Sequence, residues 1–330
     1  MYGRIADKGA VIGYNTPMAT SLTLMSKLVS MLLSVVVGFI IVRVGLLRAD
    51  DSKVLSNLVA FVLQPALIIH AMQVELTPER SMGFIMSALI CAGIYVLWIA
   101  VIRLLRRPLH LTPVDETTLC YSNVGNLMLP VIEMVLGEEM MFYATALQIP
   151  FNLFIWTHGA STISGGGGTR VRKMLLNPNI IALSAGLVLM LLHVRLPEIL
   201  YTTTESLTGA VAPVSMLVVG MVIAQKDLKE LLTVPRAYLI LAGRLIILPG
   251  LTMVLLALLG VGRMWPALIP VMQAVFLCLC APPAATVSQL AVIYDEEPVK
   301  ASTYNTLGMF FCILTIPLMN LLYQGLFPIR

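Results

Sequence analysis

Charge is scarce in this chain. Asp, Glu, Lys and Arg make up 12% of its 330 residues, about half the share of an ordinary soluble protein. Two soluble domains cannot be solvated with so few charges. The basic residues are scattered and the net charge is only +4, so there is no nucleic-acid footprint. The five cysteines, Cys91, Cys120, Cys278, Cys280 and Cys312, lack paired CxxC spacing and lie in apolar stretches, as reduced packing residues do. The four histidines are far apart and form no HExxH pair, so neither a metal site nor a cofactor is expected. A nucleophile with a base, a GxSxG elbow and a GxGD aspartate motif are all missing, which argues against an intramembrane enzyme.

What fills the chain instead is apolar: 58% of residues, with a mean hydropathy of +0.92. One span of about 20 residues could not hold that average over the full length. Ten spans are expected, over 22–47, 53–72, 82–105, 117–136, 140–163, 179–196, 199–224, 237–259, 266–293 and 301–326. The first is too long for a signal-peptide core and has no small-residue cleavage site after it. Residues 1–21 read as a disordered polar tail outside the fold. The positive-inside rule orients the whole. Arg48 and Lys53, then Arg103, Arg106 and Arg107, then Arg170, Arg172 and Lys173, then Lys226, Lys229 and Arg236, then Lys300 fall on one side, against Arg80, Arg195, Arg263 and Arg330 on the other. A multi-pass protein of the cell membrane, surrounded by lipid, with both termini outside is the expectation.

The run Ser164 to Gly168 is a flexible linker by composition, and no GK[ST] follows it to make a phosphate loop. Residues 164–178 separate a first five-helix repeat, 22–163, from a second, 179–330. An offset of 148 residues aligns Gly38 with Gly186 and Pro65 with Pro213. Slightly larger offsets align Pro130 with Pro282 or Pro283, and Pro150 with Pro317. Fused copies with an odd number of spans insert in opposite orientations, the inverted-repeat plan of many secondary transporters, and such a plan implies alternating access.

Two spans contain helix breakers. The fourth holds Asn123, Gly125, Asn126 and Pro130, and the ninth holds Pro282, Pro283, Thr286, Ser288 and Gln289. Asn123 and Asn126 would share a face if that segment were helical. If the two breaks meet at the bilayer midplane, free amides at half-helix N-termini suit a carboxylate, so a small organic anion is the expected ligand. Opposing carbonyl ends suit a cation, leaving sodium and proton coupling equally open. The bland alternatives are an interhelical hydrogen-bond clamp in the fourth span and a packing kink in the ninth. Gln148 and Asn152 lie four apart in the fifth span and are expected to face the site, with Asn305 and Thr306 as counterparts. Glu133 is a candidate for taking a proton or cation, or simply faces water. Arg244 attracts an anion, snorkels to the cytoplasmic interface or forms a structural pair. Glu205 is read as interfacial, Gln64 and Gln273 as structural.

At these residues the chain resembles the auxin efflux carrier family, which includes plant auxin exporters and bacterial carriers proposed for malate and malonate. The resemblance runs from Gly38-Phe39-Ile40-Ile41 and Gly45-Leu46-Leu47 through Leu58-Val59, Pro65-Ala66-Leu67-Ile68 and Asn126-Leu127-Met128-Leu129-Pro130 to Gly137 and Tyr143-Ala144. It continues through Asn177-Pro178, Pro213 to Gly220, Arg244-Leu245, Pro249 and Pro282 to Asp295. It implies an all-α fold of ten transmembrane helices in two inverted five-helix repeats, like the sodium/bile-acid symporters, with spans four and nine crossing at their prolines. It further implies a scaffold bundle of spans 1, 2, 6 and 7, a transport bundle of spans 3–5 and 8–10, and a homodimer. The short linker is that of a compact prokaryotic member, which argues against auxin itself as the natural substrate. Span three contains no Asp or Lys, so a charged support pair of the plant type has no place there. The function implied is secondary transport of small carboxylates such as malate, malonate or auxin-like acids. The alternative is a non-transporting membrane sensor or scaffold that binds a small carboxylate.

Overall fold

The computed structural model describes residues 17–75, 77–166, 176–224, 233–260 and 268–327. Residues 1–16 of the expected tail and 167–175 of the expected linker, with Arg170, Arg172 and Lys173, lie outside them, as do Lys226, Lys229, Arg263 and Arg330. Among the described residues the chain is all helical, apart from one isolated β-bridge. Among these residues five helices are long and apolar enough to cross a membrane: α2 (Ser52–Ala71), α3 (Pro78–Arg106), α10 (Glu198–Ala224), α11 (Pro235–Leu258) and α14 (Pro298–Leu326). With them pack α1 (Pro17–Arg43), α4 (Pro113–Cys120), α5 (Leu129–Leu136), α6 (Glu138–Thr145), α7 (Gln148–Phe154), α8 (Ala160–Ile163), α9 (Pro178–Leu191), α12 (Ile269–Leu279) and α13 (Ala285–Tyr294). The protein is thus a polytopic membrane protein. The described part of the first helix runs from Pro17.

Proline sets where several helices start. Pro78, Pro113, Pro178, Pro235 and Pro298 each occupy a first-turn position, where the missing N–H costs nothing. Thr77 and Asn177 cap α3 and α9 through their side chains, and Thr112 with Asp115 forms a reciprocal capping box on α4.

Prolines inside spans act differently. Pro65, Pro130 and Pro249 each follow a wide turn, Val59–Leu63, Val124–Met128 and Gly243–Ile247, closed by an N–H five residues on: Gln64 to Val59 O, Leu129 to Val124 O and Leu248 to Gly243 O. The proline ring collides with the carbonyl four residues back, and the wide turn moves that carbonyl aside. These prolines therefore widen their helices without breaking them, and Pro130 lies in the first turn of α5 rather than at a break.

Close backbone approach joins the bundle. Helix α1 runs along α10, where a methyl on Gly220 would overlap the Val35 carbonyl and one on Gly38 the Leu217 carbonyl. Helix α9 packs on α2, with Gly186 against Met72. At the end carrying Arg236 and Lys300, buried Asp115 gathers three elements. Its Oδ2 accepts from Arg236 Nε at 3.2 Å and Nη2 at 2.9 Å, and its Oδ1 from the Tyr304 hydroxyl at 2.9 Å, with Lys300 Nζ 3.1 Å away.

Candidate functional site: the crossing and its cavity

Between α4 and α5, and again between α12 and α13, the helix stops and the chain is extended. Tyr121 closes α4 at φ −104°, ψ 126°, and Ala284 opens α13 at φ −65°, ψ 133°. The two extended pieces pair in antiparallel fashion around Ser122 and Pro283. Asn123 N–H donates to Pro282 O at 2.9 Å, and Ala284 N–H donates to Tyr121 O at 2.9 Å. These bonds satisfy main-chain groups that the breaks would otherwise strand in an apolar medium. The Tyr95 and Ser122 hydroxyls are 3.2 Å apart behind the joint, and a methyl on Gly308 of α14 would overlap the Pro283 ring.

The position of the first break corrects the sequence expectation. Pro282 and Pro283 lie at the crossing, but the partner segment is Tyr121–Ser122–Asn123, ahead of Pro130. Asn123 is not helical, with φ −80° and ψ 66°, so it does not share a helical face with Asn126. The Asn126 backbone lies in the wide turn after the break; its side chain is outside the described atoms.

A cavity of about 260 Å³ opens beside the crossing. One wall comes from α2 and α10, through Ser56 and Ser215, and the other from the crossing and α14, through Asn123, Ser288, Gln289 and Asn305. Ala285, the first residue of α13, and Thr306 also line it. Its described lining carries no charged side chain. The α13 N-terminus has no side-chain cap; Val287 N–H donates to Ala284 O at 3.0 Å, and the amides of Ala285 and Thr286 are left to whatever occupies the space beside them. Asn123 is 4% exposed, and its Nδ2 has no hydrogen-bond partner among the described residues; the Ser215 and Ser288 hydroxyls have none either. Buried donors without partners beside a cavity are groups positioned to receive a polar ligand.

Of the residues picked from sequence, Asn123, Ser288, Gln289, Asn305 and Thr306 line the cavity. Ser56, Ser215 and Ser302 also line it and were missed, because isolated serines carry no signal of their own. Thr286, on the first turn of α13, is not among the lining residues. Gln148 and Asn152 do not face the cavity: Asn152 Nδ2 donates to Gln148 O at 2.8 Å and lies 3.4 Å from Gln148 Oε1. They form a buried patch with Gln64 against Gly125, where a methyl would overlap the Gln64 amide. Glu133 is half-buried towards the far end of α5, away from the cavity lining. Arg244 does not snorkel. The wide turn that carries it packs on α4 and α14, and the side chain is 0% exposed. Gln273 donates to Asn320 at 2.8 Å, a structural role.

A family model described as a membrane transport protein matches residues 23–171 and 167–320. The chain belongs to this family. It is the auxin efflux carrier family to which the residues pointed, and the chain is a member of a family of transporters. No curated protein matches the chain. In this membrane transport protein, the crossing, with its uncharged cavity between two groups of helices, is the candidate functional site.

Proposed function

We propose that the protein is a secondary carrier that moves small organic anions across the cell membrane by alternating access at the crossing of its fourth and ninth spans. The observation that carries this reading is the joint at Ser122 and Pro283 beside a cavity whose polar groups lack partners. A volume of about 260 Å³ falls just below the roughly 300–1,000 Å³ of drug-sized ligand sites, which favours small acids such as malate or malonate. With no charged lining, the anion is held by α13 amides and by side-chain donors. The contacts support an inverted repeat: span one packs on span seven as span six packs on span two, and the interrupted spans pair with each other. Spans 1, 2, 6 and 7 then form a scaffold against which the other bundle, joined through the crossing, moves. The cavity lies towards Lys53 and Lys300, the side that the positive-inside rule makes cytoplasmic, so this conformation is inward-facing with both termini outside.

The test is flux in proteoliposomes with labelled malate, malonate and indole acetate, under sodium, proton and no gradients. Protein-dependent movement of at least one acid is expected. No flux under any gradient, combined with stabilisation by the same acids, would instead identify a binding protein that does not transport.

Asn123→Ala separates the site from the frame. The joint uses the Asn123 backbone, and its side-chain amide has no partner to lose. Thermal stability in detergent should therefore change by less than about 0.5 kcal/mol. A hydrogen bond to a charged group is worth about 1.5–3 kcal/mol, so KM for the transported acid should rise at least tenfold. An unchanged KM would remove Asn123 from the site.

A further inference from the structure

Arg244 is the most deeply buried cation of the described chain. It is 0% exposed, and none of Nε, Nη1 and Nη2 has a hydrogen-bond partner. A charge taken out of water without compensation is strongly disfavoured. Among the described residues no carboxylate pairs with it. Its guanidinium carbon lies 5.0 Å from the centre of the Trp98 ring, and Trp98 is fixed by donating from Nε1 to Thr252 Oγ1 at 3.0 Å. The ring face supplies part of the compensation.

Tyr95, Cys120 and Cys280 are its other near neighbours. Cys120 is the last residue of α4, and Cys280 caps the C-terminus of α12. The wide turn that carries Arg244 sits against that end of α4: a methyl on Gly243 would come 2.7 Å from Leu119 Cδ2. Each helix C-terminus presents about half a negative charge in its last carbonyls, so two ends together offer roughly one unit to one guanidinium. The starts of the second half-helices behave differently. Asn123 and Ala285, which introduce them, stand in the cavity wall.

We propose that Arg244 is a positioning residue for anion transport: it neutralises the carbonyl ends of α4 and α12 from behind the crossing, so that the amide ends facing the cavity present net positive potential. Without it, the negative ends of the first half-helices offset the positive ends of the second ones. This rests on the carrier reading above for its effect on transport, but not for its effect on the crossing.

The experiment compares Arg244→Met and Arg244→Lys in the full chain, reconstituted and assayed with the carboxylate that gives the highest wild-type flux. Labelling of Cys120 and Cys280 by N-ethylmaleimide, read by peptide mass spectrometry, reports on the crossing itself, since both thiols are buried. R244M is expected to raise KM at least tenfold and to expose both thiols. R244K, which keeps the charge, should stay within threefold of wild type in KM and keep both thiols protected. A folded R244M with wild-type KM and protected thiols overturns the proposal. So does an R244K that is impaired as much as R244M. If R244M does not fold, recovery of folding and KM by R244K supports the charge requirement, and failure of R244K refutes it. If the wild type moves no carboxylate, the carrier reading fails, while the thiol readout still decides whether Arg244 holds the crossing.

Discussion

Gly220→Val is expected to abolish accumulation of the folded protein, and Gly220→Ala to lower its detergent melting point markedly. A methyl at Gly220 overlaps the Val35 carbonyl and lies 2.7 Å from Phe39 N. Both are main-chain atoms of α1, which cannot rotate away as a side chain would. The two helices must separate, and that separation also opens the contact where Gly38 meets Leu217. Small residues are what permit such approach between membrane helices, where the attraction is packing rather than water exclusion. Overpacking costs about 1–3 kcal/mol even where side chains can shift, and here they cannot. Gly38→Ala should behave likewise. The double variant should cost less than the sum, because one separation relieves both overlaps. Gly209→Ala on the same helix meets nothing within 4 Å and should be neutral or slightly stabilising. Size-exclusion profiles and melting curves of the set check the expectation; a wild-type melting point for G220V would refute it.

Asp115→Ala is the second change with a large expected effect. The carboxylate is 0% exposed, and the two cations around it are 32% and 22% exposed. Removing it takes the shared carboxylate from Arg236 and Lys300, which keep the Leu109 and His110 carbonyls and Glu297 respectively, and deprives the Tyr304 hydroxyl of its acceptor. It also removes the reciprocal cap on α4, since Thr112 N–H donates to Asp115 Oδ2 at 3.1 Å. Removing one partner of a buried ion pair costs about 3–5 kcal/mol, and the partial exposure of the cations places this change near 3. Asp115→Asn keeps an acceptor and should fall between. Melting curves measure both. Lys300 lies on the first turn of α14, ahead of Asn305 in the cavity wall, so flux should drop with stability.

The all-helical membrane fold was legible because an average hydropathy over 330 residues leaves no other solvent for the chain. The location of the second break was legible too, since Pro282-Pro283 removes two consecutive donors. The first break was placed wrongly, at Pro130, because proline is the strongest breaker on paper. In the fold, a wide turn absorbs Pro130, while Tyr121-Ser122-Asn123 opens with no proline at all. What opens it is tertiary: the extended piece recovers its hydrogen bonds from Pro282 and Ala284, in the other half of the chain, and no local rule registers that partner. The same limit applies to Gln148 and Asn152. Their spacing put them on one face, but only packing shows that the face meets Gly125 and Gln64 rather than the cavity. For Arg244 the alternatives stayed open for a related reason: side-chain length permits snorkelling, and only the seating of its turn against α4 withholds it.

The bonds at the centre of the molecule run from main chain to main chain. Asn123 N–H to Pro282 O and Ala284 N–H to Tyr121 O ask nothing of the side chains on either strand. On the proposed function, recognition chemistry and mechanical integrity are carried by different atoms of the same few residues. On that reading, the amide of Asn123 or the hydroxyl of Ser288 can be exchanged for a group suited to another solute while the main-chain joint at Ser122 and Pro283 stays intact.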